Sequence, residues 1–412
     1  MLIEFRVENH RSLLAEAGVT FEAGAVTGDE ARLRAIGGTK LVPVAAIYGA
    51  NASGKSNVLS GLQFMRDAVI DSQRFWEPDE GVPRDPFAWD TGPGEPTVVQ
   101  AAFFINGIRY EYGFVVDDDA VREEWLWVWP HGRKQTWFER EELDFTFGEH
   151  LKGENRAVQE LTRRNSLFLS AAAQNNHRQL SEVYSFFSNM RFPRARHRWS
   201  RAITVHDGPA RWFSDSPRPA WPGNDPEELK ADFLRLLRMA DVGILNVRRR
   251  DGTAPQLELQ HRLNPEDRWL PLEAESEGTQ QLFNVGPMLL NGLANGGVVV
   301  VDELERSLHP RLVLELLRMF HDPATNVHNA QLVFTTHDTS LLGSNHGEDA
   351  AVLRRDQIWL AEKGDDGASG VYPLTDYKPR KSENLERGYL QGRYRGVPFV
   401  GPRIIRLSET ER

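Results

Sequence analysis

The chain contains no cysteine, which excludes disulfides, thiolate metal sites and cysteine nucleophiles together. No apolar stretch approaches the roughly 20 residues that a bilayer crossing needs. The opening MLIEFRVENHRSL alternates like a strand and lacks the apolar core of a secretion signal. No membrane contact is therefore expected, and the cytoplasm is the expected location. Long heptad runs are missing too, which argues against an extended coiled-coil arm, and no internal repeat stands out. A net charge of −10 argues against coating of DNA by the whole surface, although it leaves room for a local basic groove. Neither a strand-borne Asp-x-Asp preceded by a Glu nor a His-Asn-His cluster is present, so nothing points to a nuclease.

What is present is an ordinary globular composition, with 40% hydrophobic and 26% charged residues. At 412 residues the chain exceeds the ~100–200 of a typical domain, so a large core with an insertion, or two lobes, is expected. Residues 49–56, GANASGKS, fit the phosphate-binding pattern G-x-x-x-x-G-K-[ST] at every fixed position. They follow an apolar run, Leu41 to Tyr48, that reads as a buried strand. Gly49 and Gly54 let the backbone turn its N–H groups toward phosphates, with Asn51, Ala52 and Ser53 between them. Lys55 would neutralise the β/γ oxygens of a nucleotide triphosphate, and Ser56 would offer a hydroxyl to Mg²⁺. From Asn57 to Asp67 the chain can continue as the helix whose N-terminus faces the anion.

Two apolar runs between Pro96 and Asp117 flank Asn106-Gly107, a strong hairpin signal, and Glu124 to Trp129 alternates as a third strand. Residues from about 150 to 240 are helical in flavour, with Phe233, Leu236, Leu237 and Ala240 at three-and-four spacing. Asp207 to Pro226 reads as a loop or linker. Beyond Asn264, Val298 to Val301 is a β-branched run suited to the middle of a parallel sheet. It ends in Asp302, placed to hold Mg²⁺, and Glu303, placed to orient and deprotonate a water. Such an acidic pair could also simply begin a helix. Pro310 suits the first turn of a helix running through Phe320. A further strand, Gln331 to Phe334, leads to His337, in position to reach a γ-phosphate. Ser276, Gly278 and Gln280 precede an apolar helix and make an anion seat at its N-terminus, or a plain N-cap. Pro287 should bend or shorten that helix.

In this order, GANASGKS, ESEGTQ, the valine strand with Asp-Glu, ERSLHP and TTHD resemble the motifs of ABC-type ATPase heads, including the SMC proteins. More closely, with FRVENHRSL, NSLFL, RDQIW and the late YLQGRYRGVPF, the chain resembles a compact bacterial ATP-binding family related to the OLD and abortive-infection ATPases. The resemblance implies an α/β, P-loop NTPase head of ABC/SMC type with an antiparallel β subdomain and an inserted helical lobe. It divides into 1–150, 151–263 and 264–412. By position, Gly49, Asn51, Gly54, Lys55 and Ser56 resemble Walker A, and Asn57 follows them at the nucleotide. Asp302 resembles the Walker B aspartate and Glu303 the catalytic glutamate. Ser276, Gly278 and Gln280 resemble the signature, Glu305 to His309 the D-loop and His337 the switch histidine. Arg11 and Ser12 resemble early residues that approach the nucleotide. A Q-loop glutamine has no match, since Gln100 lies in a strand and Asp85 to Asp90 contains none.

The resemblance further implies a homodimer, or a higher oligomer, that sandwiches two ATP molecules, each completed by the other subunit's signature. Its implied role is an ATP-gated sensor in phage defence that controls a separate effector, such as a toprim-type nuclease or a toxin. The rival is a DNA-tethering or repair ATPase. Its support is the run Arg191, Arg194, Arg196, Arg198 and Arg201, with Arg163, Arg164 and Arg248 to Arg250 as candidate neighbours, which is equally readable as a solvated or partner-pairing face. The late segment 378–398 reads as a tail that packs back on the head, or as a surface for a partner or nucleic acid. Lys55→Ala is expected to abolish tight ATP binding in an equilibrium titration, and wild-type affinity would refute the phosphate-loop assignment.

Overall fold

The computed structural model describes residues 1–25, 29–89, 92–193, 213, 225–240, 243–250, 256–262, 268–343, 351–380, 383–394 and 396–397. Strands β1 (Leu2–Glu8) and β2 (Ala17–Thr20) open the chain, followed by the hairpin β3 (Arg34–Ile36) and β4 (Thr39–Leu41). Strand β5 (Val44–Gly49) then feeds helix α1 (Lys55–Phe75). Five strands come next: β6 (Thr97–Ile105), β7 (Ile108–Val116), β8 (Val121–Trp129), β9 (Gln135–Glu141) and β10 (Asp144–Phe147). Helices α2 (Asn155–Leu161), α3 (Phe168–Gln174), α4 (Arg178–Ser188) and α5 (Pro226–Ala240) follow. Strands β11 (Ile244–Arg250), β12 (Gln256–His261) and β13 (Arg268–Pro271) lead to α6 (Glu277–Asn295), β14 (Val298–Val301) and α7 (Pro310–His321). Last come β15 (Gln331–Thr336), β16 (Ile358–Lys363), β17 (Ser369–Pro373) and α8 (Leu385–Leu390). Among the described residues, no helix is long and apolar enough to cross a membrane.

The mixed sheet that carries the site has the order β14-β15-β5-β16-β17, parallel except for β17. Its strands alternate residues between two cores. Ala45, Ile47, Val298, Val300 and Val333 face the core shared with α1 and the antiparallel sheet. Val44, Ala46, Tyr48, Val299, Val301, Leu332 and Phe334 face the core shared with α5, α6 and α7. Period-two alternation with both faces apolar explains why these strands read as continuous hydrophobic runs. The run 41–48 is nevertheless two strands: Pro43 interrupts it, and its carbonyl accepts from the Leu332 amide at 2.9 Å.

The seven-stranded antiparallel sheet has the order β10-β9-β8-β7-β6-β1-β2. Its β6–β7 hairpin turns at Asn106 (φ 50°) and Gly107 (φ 80°), both left-handed as a tight hairpin turn requires. The sheet is tied to the rest by buried polar groups. The Gln331 side chain imitates a strand partner: its Oε1 accepts from the Leu2 amide at 2.6 Å, and its Nε2 donates to the Leu2 carbonyl at 2.8 Å. Glu124 on β8 is fully buried beside Arg140 on β9 and accepts from the amides of Phe168 (2.7 Å) and Leu169 (3.0 Å) and from the Tyr112 hydroxyl (2.9 Å). It thereby caps α3, which packs against α1.

Three further expectations differ from what is seen. The helices of 151–263 divide between the cores, because α2 to α4 turn their apolar faces to the first and α5 packs on α6 in the second. Strand β14 lies at the end of its sheet, not in the middle. Its outer edge is met by Arg191, whose amide donates to the Val298 carbonyl and whose carbonyl accepts from the Val300 amide, each at 2.8 Å. Pro287 does not shorten α6, which runs through it for 19 residues. Most of the linker expected over 207–226 lies outside the described residues.

Arg140→Met would leave the Glu124 carboxylate buried without its ion partner, at a cost of about 3–5 kcal/mol. Urea denaturation is expected to show that loss, and an unchanged midpoint would mean that the amide and hydroxyl donors suffice.

Candidate functional site

Parallel register places three strand ends side by side. The ladder between β15 and β5 closes on Thr336 opposite Tyr48, and that between β14 and β15 on Val301 opposite Phe334. The phosphate loop, Asp302-Glu303 and His337 therefore leave the sheet at one edge, its carboxyl end, where open α/β sheets bind ligands. Residues separated by hundreds of positions meet there: the Ser56 hydroxyl donates to Asp302 Oδ1 at 2.9 Å.

The loop's two fixed glycines are needed for different reasons. A Cβ on Gly49 would lie 2.4 Å from Ser53 Oγ and 2.5 Å from the Ala361 carbonyl oxygen. Gly54 has φ 97°, and its Cβ would lie 2.4 Å from Ser369 Oγ and 2.9 Å from Ser12 Oγ. Between them Ala52 is left-handed at φ 62°. Gly54 is also the N-cap of α1 and makes no side-chain cap, so the helix end presents amides to an anion. Ser53 Oγ is buried with no hydrogen-bond partner. Lys55 is 6% exposed and donates to the carbonyls of Gly49 and Ala50 at 2.9 Å each. Burial lowers its pKa, and Asp302, Glu303 and Glu305 oppose that shift. A glycine-rich turn, an uncapped helix end, an orphaned hydroxyl and a buried ammonium together fit a polyphosphate.

Ser56 and Asp302 offer hard oxygen donors, which fit Mg²⁺. Among the described residues, no group of three His, Cys, Asp or Glu side chains could hold a metal alone. Such a pair suits an ion that takes its other ligands from phosphates and water.

Glu303 adopts a left-handed backbone at φ 52°, unusual for a residue with a side chain. Thr335 holds it there: its Oγ1 accepts from the Glu303 amide at 2.7 Å and donates to Asp302 Oδ1 at 2.6 Å. The His337 amide in turn donates to Glu305 Oε1 at 2.6 Å, so the segment after Glu303 braces the histidine's backbone. His337 itself is exposed.

Other expected residues are placed with more variety. Ser12 reaches the loop, accepting from Asn57 Nδ2 at 2.6 Å and pairing with Ser369 Oγ at 2.8 Å. Arg11 turns instead to Asp85, with its Nε and Nη2 each 3.2 Å from one carboxylate oxygen. Ser276 caps α6, its Oγ accepting from the Thr279 amide at 3.2 Å, and Gln280 donates back to the Glu275 carbonyl at 2.8 Å. Gly278 lies against the Ser307 carbonyl, where a Cβ would come within 2.6 Å. Among the described residues, no hydrogen bond joins these three to the phosphate loop of the same chain. Asn51 is exposed. Gln100 donates to Glu111 at 2.7 Å, within the antiparallel sheet.

Arg191 does not line an open basic face. It is 6% exposed and its guanidinium donates to the carbonyls of Asn189 and Gly296 at 2.8 Å each, because its backbone joins the edge of β14. Arg194, Arg196, Arg198 and Arg201 lie outside the described residues. Sequence reasoning missed Thr335 and Ser369. A polar residue in the buried run QLVFTT signals the first, whereas nothing near Ser369 signals the second, which is brought to Ser12 only by the pairing of β17 with β16.

A family model described as "AAA domain, putative AbiEii toxin, Type IV TA system" matches residues 44–343. No curated protein matches the chain. Among solved structures it is similar to an SMC head domain from Thermotoga maritima, at 12% identity and a TM-score of 0.40 over 90% of this chain and 98% of that one. It is also similar to an Smc head bound to the C-terminal winged-helix domain of ScpA, at 11% identity and a TM-score of 0.42 over 90% and 96%. A third, an Smc head with an extended coiled coil bound to the C-terminal domain of ScpA derived from Pyrococcus furiosus, is 11% identical with a TM-score of 0.39 over 94% and 97%.

Thr335→Val keeps the shape of a fully buried side chain and removes both of its hydrogen bonds. ATP turnover is expected to fall roughly tenfold or more, about the loss of one or two buried hydrogen bonds. A wild-type rate would show that the left-handed turn at Glu303 holds without the hydroxyl.

Proposed function

The chain belongs to the AAA-domain family whose model covers residues 44–343, and from that premise we propose that it is an ATP-gated dimeric switch in bacterial antiviral defence. As a member of that family it is an ATPase. The observation that carries the reading is the 2.9 Å contact between Ser56 and Asp302, which sets a phosphate loop against an acidic strand end.

In this reading Gly49 to Lys55 hold the β and γ phosphates, and Ser56 with Asp302 would hold Mg²⁺. When bound, that ion neutralises charge on the phosphate oxygens. Glu303 accepts a proton from the attacking water, and its braced backbone keeps the carboxylate from wandering. His337 reaches the γ-phosphate from the neighbouring strand end. Ser276 and Gly278 sit at the solvent-facing start of the 19-residue helix α6 and would complete the site of a second copy. Contacts to the γ-phosphate from both copies would make ATP the link between them, so cleavage would loosen the dimer.

The output is an effector encoded separately, a toxin or a toprim-type nuclease. Support comes from the family's description, which names a toxin–antitoxin system, and from the resemblance to abortive-infection ATPases. Three of the arginines that the DNA-tethering alternative would use are engaged within the chain, while Arg164 is exposed. Arg163 donates to the carbonyls of Ser72, Gln73 and Trp76, and Arg248 and Arg250 both pair with Glu258.

Glu303→Gln should lower turnover by about 100-fold or more and accumulate a dimer with MgATP, seen as a doubled mass in light scattering. A variant that hydrolyses ATP at the wild-type rate, or stays monomeric at saturating MgATP, would overturn the switch.

A further inference from the structure

The late motif beginning at Tyr389 has no part in the chemistry above, yet the segment that carries it reaches the site at two points. The sheet releases the two active loops at different points. Between β5 and β15, Thr336 opposite Tyr48 is the last paired position and His337 lies just beyond it, whereas Gly49 still pairs with Ala361 on β16. Past that rung, the described contacts that span the gap come from Tyr48 and the tail. Tyr48 is fully buried and donates its hydroxyl to the Asp338 carbonyl at 3.2 Å, one residue past His337. The Tyr389 ring meets the Tyr48 ring edge-on, with centroids 5.8 Å apart.

Tyr389 also donates its hydroxyl to the Gly396 carbonyl at 3.0 Å. Burial pushes that hydroxyl's pKa up to about 12, so it remains a donor at neutral pH. Gly396 is left-handed at φ 93°, and a Cβ there would lie 3.2 Å from the Ala361 carbonyl oxygen and 3.4 Å from Gly49 Cα. The tail thus rests on the first residue of the phosphate loop. On the other side, Thr339 Oγ1 donates to Glu386 Oε1 at 3.3 Å, joining α8 to the turn over Thr339–Leu342 that follows His337. Tyr389 and Tyr394 are 6% and 4% exposed, and Tyr394 packs edge-on against Tyr377 at 5.7 Å, so this segment is a packed wall.

We propose that residues 385–394 and 396–397 form a positioning element of the nucleotide site, in which Tyr389 and Gly396 set the start of the phosphate loop and Glu386 sets the turn behind His337. The proposal rests on the assignment of those two loops to ATP. Catalytic groups tolerate about 0.5 Å of misplacement, and two loops that no longer pair with each other need a common third body to keep that tolerance. The tail supplies it without touching substrate.

The test uses the full chain, with steady-state MgATP hydrolysis and thermal melting as readouts. Glu386→Ala should lower kcat roughly three- to tenfold, the effect of one hydrogen bond, with KM for ATP unchanged, since the turn behind His337 serves turnover and not capture. Glu386→Gln should restore the rate, because an amide oxygen also accepts from Thr339, and Thr339→Val should reproduce the loss. Gly396→Ala should raise KM by pressing on Gly49. Wild-type kcat and KM in folded Glu386→Ala and Gly396→Ala overturn the proposal, as does an equal loss in Glu386→Ala and Glu386→Gln. Should Gly396→Ala fail to fold, the Glu386 and Thr339 variants decide alone. A wild-type protein without ATP turnover, or a Lys55→Ala variant as active as wild type, would overturn the nucleotide reading itself, and the tail's role with it.

Discussion

A single buried hydroxyl joins the two halves of the acidic strand end. Thr335 on β15 receives the Glu303 amide and gives its proton to Asp302, whose same oxygen accepts from Ser56 on α1. One line of hydrogen bonds therefore runs from the phosphate-loop helix through β14 to β15. It forms only if all three elements end at the same height, and the parallel register makes them do so. The left-handed backbone of Glu303 is the other side of this arrangement: the chain must turn sharply to present its amide to Thr335, and the hydrogen bond offsets the strain.

Rigidity behind that edge comes from two cores that share one sheet. Alternate residues of the central strands serve opposite faces, so displacing any strand disturbs packing on both sides. Polar ties cross between layers where packing alone would allow sliding. Gln331 locks β15 to β1 as though it were backbone, and Glu124 fastens the antiparallel sheet to the start of α3, which lies on α1. Such buried, fully partnered groups restrict which packing is possible, because any slip leaves them desolvated and unpaired. Helix α1 is thus held along its length while its N-terminus stays open.

Much of this was legible in the sequence, and the divide between what was and what was not is physical. The phosphate loop, the Asn106-Gly107 hairpin, the valine strand and the helix starting at Pro310 are local signals, set by turn chemistry, periodicity and proline geometry, and they appear where expected. Strand order was not legible. Nothing in VVVV says whether it lies at the end of a sheet or inside it, since both faces are buried either way and Arg191 meets its edge from a distant segment. The division of 151–263 between two cores was hidden for a similar reason: helical periodicity reveals an apolar face but not the surface it meets. Ser369 and Gly396 were invisible as site neighbours because long-range strand pairing and tail packing, not local pattern, bring them to the loop. Arg191 looked like part of a basic patch because composition cannot distinguish an exposed guanidinium from one spent on carbonyls.

Gly54 is crowded by Ser12 and Ser369, and Gly49 by Ala361 and Gly396, so residues from both ends of the chain wall one small loop. A ribosome makes the loop early and its walls late, because domains are synthesised from the amino end. A nascent chain that has released GANASGKS still lacks Asp302, Thr335 and the whole of the tail. The nucleotide pocket can close only after residues 385–394 have been made, so a product truncated before them would carry the motif without the enclosure.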